Sequence, residues 1–338
     1  MYEMKRTNPF PKRSSRFFPG LSQGGFTLLE VMAALVILVI AMTAAYATFQ
    51  FQHASFTVQN RVTETQQNLR SAVEIISRDI RLAGYGIPSP VSIPAGILPG
   101  GSVAIRNLQS VNSTTGPDEI YLMYLYDMDS NMPPTNITKN MPNPSSEFDV
   151  AAVAGFSIGD LCIVTDGSFA NLFEITEVQT GSVKLQHNPG GGARVYNLPT
   201  GPAGAPPGGY TLGSTIAKAR FARYFIDRTD PAHPTLMLDR MNNAAPQPLS
   251  DDIEDLQIQY GLDTDGDFAV DTWTNAPTAA QGPQIKQVRL MLSARTRMTE
   301  KGWNEVRPAL GDRAGGTTAD GYRRRTIDVA IDLRNPGA

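Results

Sequence analysis

Gly24-Gly25-Phe26-Thr27-Leu28-Leu29-Glu30 stands between a basic leader and an unbroken apolar run, and its reading decides the rest of the chain. Ahead of it, residues 1–25 carry Lys5, Arg6, Lys12, Arg13 and Arg16 against the single acid Glu3, a net +4. Behind it, no charged residue occurs from Val31 to Ala47. With 26–29 the run reaches about 20 residues, enough to cross a bilayer core of about 30 Å as a helix rising about 1.5 Å per residue. Positive charge ahead of the span keeps the leader in the cytoplasm and sends the remainder across the membrane. Glu30 is the anomaly. A carboxylate costs about 2.5–3.5 kcal/mol at the centre of such a span and less near its end. No opposite charge lies nearby in sequence, so its partner is expected on another molecule.

Apolar residues then recur at Val58, Val62, Leu69, Val73, Ile76, Ile80 and Ala83, in steps of 3, 4 or 7 that form one helical stripe. Neither Pro nor Gly interrupts Phe26 to Ala83, and Gly84, Gly86 and Pro88 then make a strong stop. The spacing predicts one helix over 26–83, roughly 87 Å long. Its transmembrane segment is expected at about 28–48, and its second half turns the stripe toward a head at 84–338.

The head reads as strands: Glu119–Asp127, Asp160–Thr165, Leu172–Val178, Val183–His187, Thr215–Asp227, Thr235–Asp239, Ile253–Leu262, Ile285–Ala294 and Thr326–Leu333. In Leu256-Gln257-Ile258-Gln259-Tyr260 the alternation predicts apolar residues inward and polar ones outward, as in a one-sided sheet packed on a helix. The fold class is therefore α+β. Two loops stand out, 133–144 and the Gly/Pro-rich 189–209, the second too long for an ordinary hairpin.

The chain has 338 residues, 41% apolar and 18% charged, with 30 Gly and 25 Pro, a turn-rich balance that excludes a coiled-coil rod. Its net charge of −3 gives no global case for nucleic acid binding, and removing the leader would take it to −7. One cysteine, Cys162, excludes an intrachain disulfide framework and a multi-Cys zinc site. It lies in an apolar strand and reads as a packing residue. The three histidines are scattered, and no nucleophile elbow, phosphate-binding loop or HExxH helix occurs. The chain does not read as an enzyme.

The junction at Gly25-Phe26-Thr27-Leu28-Leu29-Glu30 resembles the prepilin motif of type IV pilins and type II secretion pseudopilins. That resemblance implies cleavage after Gly25 by a prepilin peptidase, N-methylation of Phe26, and neutralisation of a neighbour's terminal amine by Glu30. It also implies storage in the inner membrane with the head outside, then passage into the pilus fibre. An ordinary signal peptide ending at Ala45-Tyr46-Ala47 fits less well, because its apolar region would exceed the usual 7–15 residues and contain Glu30. A simple uncleaved anchor is the other alternative. Two further segments, Asp79-Ile80-Arg81-Leu82-Ala83-Gly84-Tyr85 and Arg323-Arg324-Arg325-Thr326 with its closing Leu333-Arg334-Asn335, are similar to PilW-type minor pilins. Family membership of that kind implies a pilin fold, a part in priming the filament with other minor pilins, the major pilin and the inner-membrane assembly platform, and a place at the tip. The alternatives are a J-type minor pseudopilin and a pilus-tip adhesin.

Asp263-Thr264-Asp265-Gly266-Asp267-Phe268-Ala269-Val270-Asp271 sets carboxylates at positions 1, 3, 5 and 9, with the Ala269 carbonyl at position 7, in the manner of a Ca²⁺ loop. It departs from the pattern in having Phe268 at position 6 and Thr274 at position 12, and it follows a strand. Crowded acids repel one another, so something positive is expected beside them. The competing reading is a solvated Asp/Gly turn. Arg323–Arg325 read most simply as a solvated strand edge that discourages edge pairing.

Overall fold

The computed structural model describes residues 25–87, 90–105, 107–125, 133–189 and 196–335. The leader expected at 1–25 lies, apart from Gly25, outside the described residues. The chain separates into two compact units, 1–57 and 58–338.

A helix, α1 (Leu28–Leu82), begins in the first unit and ends in the second. Every residue from Leu28 to Phe56 is exposed, and this part is long and apolar enough to cross a membrane. From Val58 on, the helix belongs to the head. Of the stripe that the periodicity predicts, Leu69, Ile76, Ile80 and Ala83 are buried and Val58, Val62 and Val73 half-buried, and Ala72 is buried beside them. Fully burying each Leu or Ile of this stripe contributes about 1.5–3 kcal/mol.

The head holds two principal sheets. The strands of the first include β1 (Leu108–Val111), β2 (Glu119–Leu125), β3 (Leu161–Thr165), β4 (Ala170–Glu174), β5 (Thr215–Asp227), β6 (Thr235–Asp239) and β7 (Gln247–Asp251). Its main path runs β7-β6-β5-β3-β4, and β5 also pairs with β2, which pairs with β1. The second is an antiparallel sheet of β8 (Ile253–Leu262), β9 (Thr272–Thr274), β10 (Ile285–Arg295) and β11 (Arg324–Asp332), in the order β9-β8-β10-β11. Its register sets Leu256 opposite Leu292, Ile258 opposite Leu290, and Leu290 opposite Val329. The helix stripe, Ile120, Leu122 and Tyr224 of the first sheet and Leu256, Ile258, Leu290 and Leu292 of the second share one apolar cluster.

Two expectations change, and the two long loops take a definite place. The polar face of β8 is covered, not solvated: Asp255 is buried between Arg307 and Arg313, and Gln257 Nε2 donates to the Gly116 carbonyl at 2.9 Å. The run Leu172–Val178 breaks after Glu174, and Glu177–Gln179 pairs in a separate small sheet. The two loops are packed on each other: a Cβ at Gly209 would lie 2.7 Å from Met141 Cβ, and one at Gly201 would clash with the Pro144 carbonyl. Residues 190–195 of the second loop lie outside the described residues, as does the expected strand end at 126–127.

Candidate functional site

At the start of α1, Thr27 and Glu30 form a closed pair. The Thr27 N–H and hydroxyl each donate to Glu30 Oε2 at 3.0 Å, and the Glu30 N–H donates back to Thr27 Oγ1 at 3.2 Å. This is a capping box, with Thr27 as N-cap and Glu30 as the third helical residue, so two orphan N–H groups of the helix end are satisfied reciprocally. The Oε1 oxygen of Glu30 has no hydrogen bond among the described residues. Among the described residues nothing lies within 4 Å of a Cβ built at Gly25, and Phe26 is exposed.

The other end of α1 carries a site that the sequence reading left without a role. Asp79 is only 6% exposed, and both its oxygens are taken by tyrosines of the first sheet. Tyr124 donates to Oδ1 at 3.0 Å from β2, and Tyr224 donates to Oδ2 at 2.7 Å from β5. Burial, with Asp79 alongside, pushes both phenols above their ordinary range. The signal that could have exposed this was an acid at the helix position between Ile76 and Ile80, on the apolar stripe. The chain then turns sharply. Gly84 and Gly86 hold φ of +79 and +71, and a Cβ at Gly86 would lie 2.7 Å from Leu125 Cδ1. Between them the Gly84 N–H donates to the Met123 carbonyl and the Tyr85 carbonyl accepts from Leu125 N–H, so the Ala-Gly-Tyr-Gly turn is sewn along β2.

In the 263–271 loop the carboxylates of Asp263, Asp265 and Asp267 come within 4.8 Å of one another; Asp271 is not in that group. Asp263 is spoken for: its Oδ1 accepts the Gly266 N–H and its Oδ2 the Phe268 N–H, while the Lys286 ammonium lies 3.5 Å from Oδ2. Burial raises the Asp263 carboxyl, but the two N–H groups and Lys286 outweigh it and hold it below the usual range. Asp271 Oδ2 accepts both the N–H and the hydroxyl of Thr264 at 2.7 Å. Lys286 therefore supplies positive charge beside the acids, and it sits 5.0 Å from the ring of Phe268, which is 78% exposed with φ +70. Asp265, Asp267 and the Ala269 region remain at the surface.

Of the three C-terminal arginines, only Arg325 is a solvated edge residue. Arg324 is buried: its Nε donates to Glu254 at 2.8 Å and its two terminal nitrogens to Asp320 at 2.7 and 2.5 Å. Arg323 stacks 3.7 Å from the Trp303 ring centre and pairs with Glu300. The segment 296–323 folds back over β8 and supplies Asp320, Glu300 and Trp303, while Glu254 comes from β8 itself. Cys162 is fully buried, as expected of a packing residue, and burial pushes its thiol up.

Residues 223–335 match the family described as Type IV Pilus-assembly protein W, and residues 21–46 match the prokaryotic N-terminal methylation motif. No curated protein matches the chain. Among solved structures, a type IV-like pilin from Thermus thermophilus is similar at 12% identity and a TM-score of 0.34, over 81% of this chain and 98% of that one. The first match opens at Arg223, beside the Tyr224 that holds Asp79, and closes just beyond β11. The chain is thus PilW-like over its last third and begins with a prepilin-type methylation motif.

Proposed function

We propose that this chain is a minor subunit of a type IV pilus that helps prime the filament with other minor pilins and the major pilin, and that stays at the tip. In this reading a prepilin peptidase cuts after Gly25 and methylates Phe26. The apolar helix stores the subunit in the inner membrane, head outward, until the assembly platform draws it into the fibre. The observation that carries the reading is the asymmetry of Glu30. One oxygen closes the capping box, and the other is left for the cationic amine of a neighbour's first residue, where a charged hydrogen bond contributes about 1.5–3 kcal/mol. In the same reading the 263–271 loop is a weak Ca²⁺ site with Lys286 as its resident charge.

Glu30→Gln and Glu30→Ala test it together. The amide keeps the capping box but loses the charge. Both variants are expected to stop piliation and twitching while leaving the head folded and type II secretion intact. Normal pili in Glu30→Gln would reduce Glu30 to a helix cap and remove the basis of the reading.

A further inference from the structure

A cavity of about 480 Å³ opens between β1 and the connection 275–284 that leads from β9 to β10. None of the described residues that line it is charged. Its polar lining is made of amides and hydroxyls, among them Ser102, Gln109, Asn112, Asn275 and Thr278, and all five are at least partly exposed. Apolar surface stands between them, from the buried Leu108 and Ile285 and the more exposed Pro277 and Pro283. The volume falls within the range of small-molecule sites, about 300–1,000 Å³.

The polar groups are held in place from outside the cavity. Asn112 Nδ2 and Asn275 Nδ2 both donate to Asp312 Oδ2, at 2.9 and 2.8 Å, so one carboxylate beyond the lining orients two amides. Their nitrogens being engaged, their oxygens are left as acceptors, and that of Asn112 has no hydrogen-bond partner. Asn107, a buried residue of the lining, has an unpartnered donor in its Nδ2. Gln109 Nε2 donates to Ser102 Oγ at 3.1 Å. The Thr278 N–H and hydroxyl both donate to Gln281 Oε1, at 2.9 and 3.0 Å, which braces the connection.

Strand addition is closed off here. Alternate residues of an antiparallel strand bond to opposite edges. The Met123 N–H donates to the Asn107 carbonyl, so Asn107 and Gln109 bond toward β2 and Leu108 and Ser110 away from it. The Leu108 N–H is taken by Asn107 Oδ1 at 2.7 Å, and the Ser110 N–H and hydroxyl by the buried Tyr260 phenol. A ligand in the cavity is therefore met by side chains.

We infer that this cavity binds an uncharged saccharide unit. A sugar hydroxyl donates and accepts at once, which suits a lining of amides and hydroxyls, and the C–H faces of the ring suit the prolines and Leu108. An ionised ligand finds no opposite charge among the described lining residues, and a wholly apolar one leaves the amides unmatched. None of the N-terminal residues takes part, so the inference is independent of the assembly reading.

Full-length protein in micelles of lauryldimethylamine oxide, a detergent without a sugar headgroup, is mixed with glucose, galactose, mannose and N-acetylglucosamine. The methyl glycosides of these sugars, glucuronic acid and the neutral tripeptide acetyl-Ser-Ala-Ser-amide are the other probes. Saturation-transfer NMR reports binding, and titration gives affinity. At least one neutral sugar is expected to bind; a methyl glycoside that binds as well marks a unit of a glycan chain, and the free sugar alone a monosaccharide. Asn275→Ala is expected to weaken binding roughly tenfold. Ala276→Trp, at an exposed position of the lining, is expected to block it, with urea midpoints confirming that both variants fold. No sugar bound at about 10 mM, well above a weak Kd of about 1 mM, would overturn the proposal. Tighter binding of glucuronic acid or of the tripeptide, or undiminished binding in Ala276→Trp, would overturn it too.

Discussion

Tyr224 donates its hydroxyl to Asp79 at 2.7 Å across 145 positions of sequence, and Tyr124 takes the other oxygen of the same carboxyl. This joins the last turns of α1 to β2 and β5 of the first sheet, inside an otherwise apolar cluster. A hydrogen bond to a charged group contributes about 1.5–3 kcal/mol, and a buried group left without its partner costs at least as much. Tyr224→Phe is therefore expected to lower the stability of the head by about 1.5–3 kcal/mol. The double change with Tyr124→Phe should cost more than either single one, because Asp79 then has no donor from the sheet. Urea unfolding followed by the fluorescence of Trp273 and Trp303 measures both; a Tyr224→Phe curve superimposed on that of the unchanged protein would contradict the assignment.

Arg324 gives the second prediction. It is buried against Glu254, which is buried too, and against the half-exposed Asp320. Removing one partner of a buried pair leaves an uncompensated charge, at about 3–5 kcal/mol. Arg324→Met is expected to destabilise the head by that amount, whereas Arg324→Met with Glu254→Met should recover most of it, since apolar residues of similar volume replace buried pairs at little cost. Equal losses in the single and double variants would show that the pair is not the reason.

These two sites also mark where the sequence could be read and where it could not. The helix was legible because its signals are local: an unbroken apolar run, a stripe at 3–4 spacing, and a glycine stop. Strands β5, β6 and β8 were legible at their ends for the same reason, their alternation being bounded by turn residues. Strand β7 was hidden, since Pro246 and Pro248 argue against a strand that exists only as a sheet edge. The role of Arg324 was hidden because Glu254 lies 70 positions away and the covering segment 296–323 shows no periodicity. At the N-terminus the motif was visible, but the division of labour between the two Glu30 oxygens is a matter of geometry.

Asp118 ties β2 to β8, accepting the Ser113 N–H at 2.7 Å and the Ile258 N–H at 2.9 Å. Burial raises its pKa from 3.8 to about 7, against the pull of those two N–H groups, and Asp312 and Asp255 add to the rise. The folded chain then holds a proton that the unfolded chain releases, so this group's contribution is greatest below about pH 3.8 and declines as pH rises to about 7. Asp118→Asn cannot ionise and keeps one acceptor for the two N–H groups. Its urea midpoint is expected to fall less between pH 4.5 and pH 7.5 than that of the unchanged protein; parallel pH profiles would be inconsistent with a raised Asp118.

Lys286 lies beside Asp263, its ammonium 3.5 Å from that carboxylate and 5.0 Å from the centre of the Phe268 ring. A cation entering among Asp263, Asp265 and Asp267 must work against this charge, since like charges a few ångströms apart repel even near the surface. Lys286→Met keeps the length of the side chain and its contact with Phe268 but removes the charge. Calorimetric titration with Ca²⁺ is then expected to show weak binding to the unchanged protein and binding tighter by roughly tenfold or more in the variant, a difference of about 1.4 kcal/mol. If the variant binds Ca²⁺ no better, Lys286 is not what opposes the ion, and the three acids form a solvated turn held by their own backbone N–H bonds.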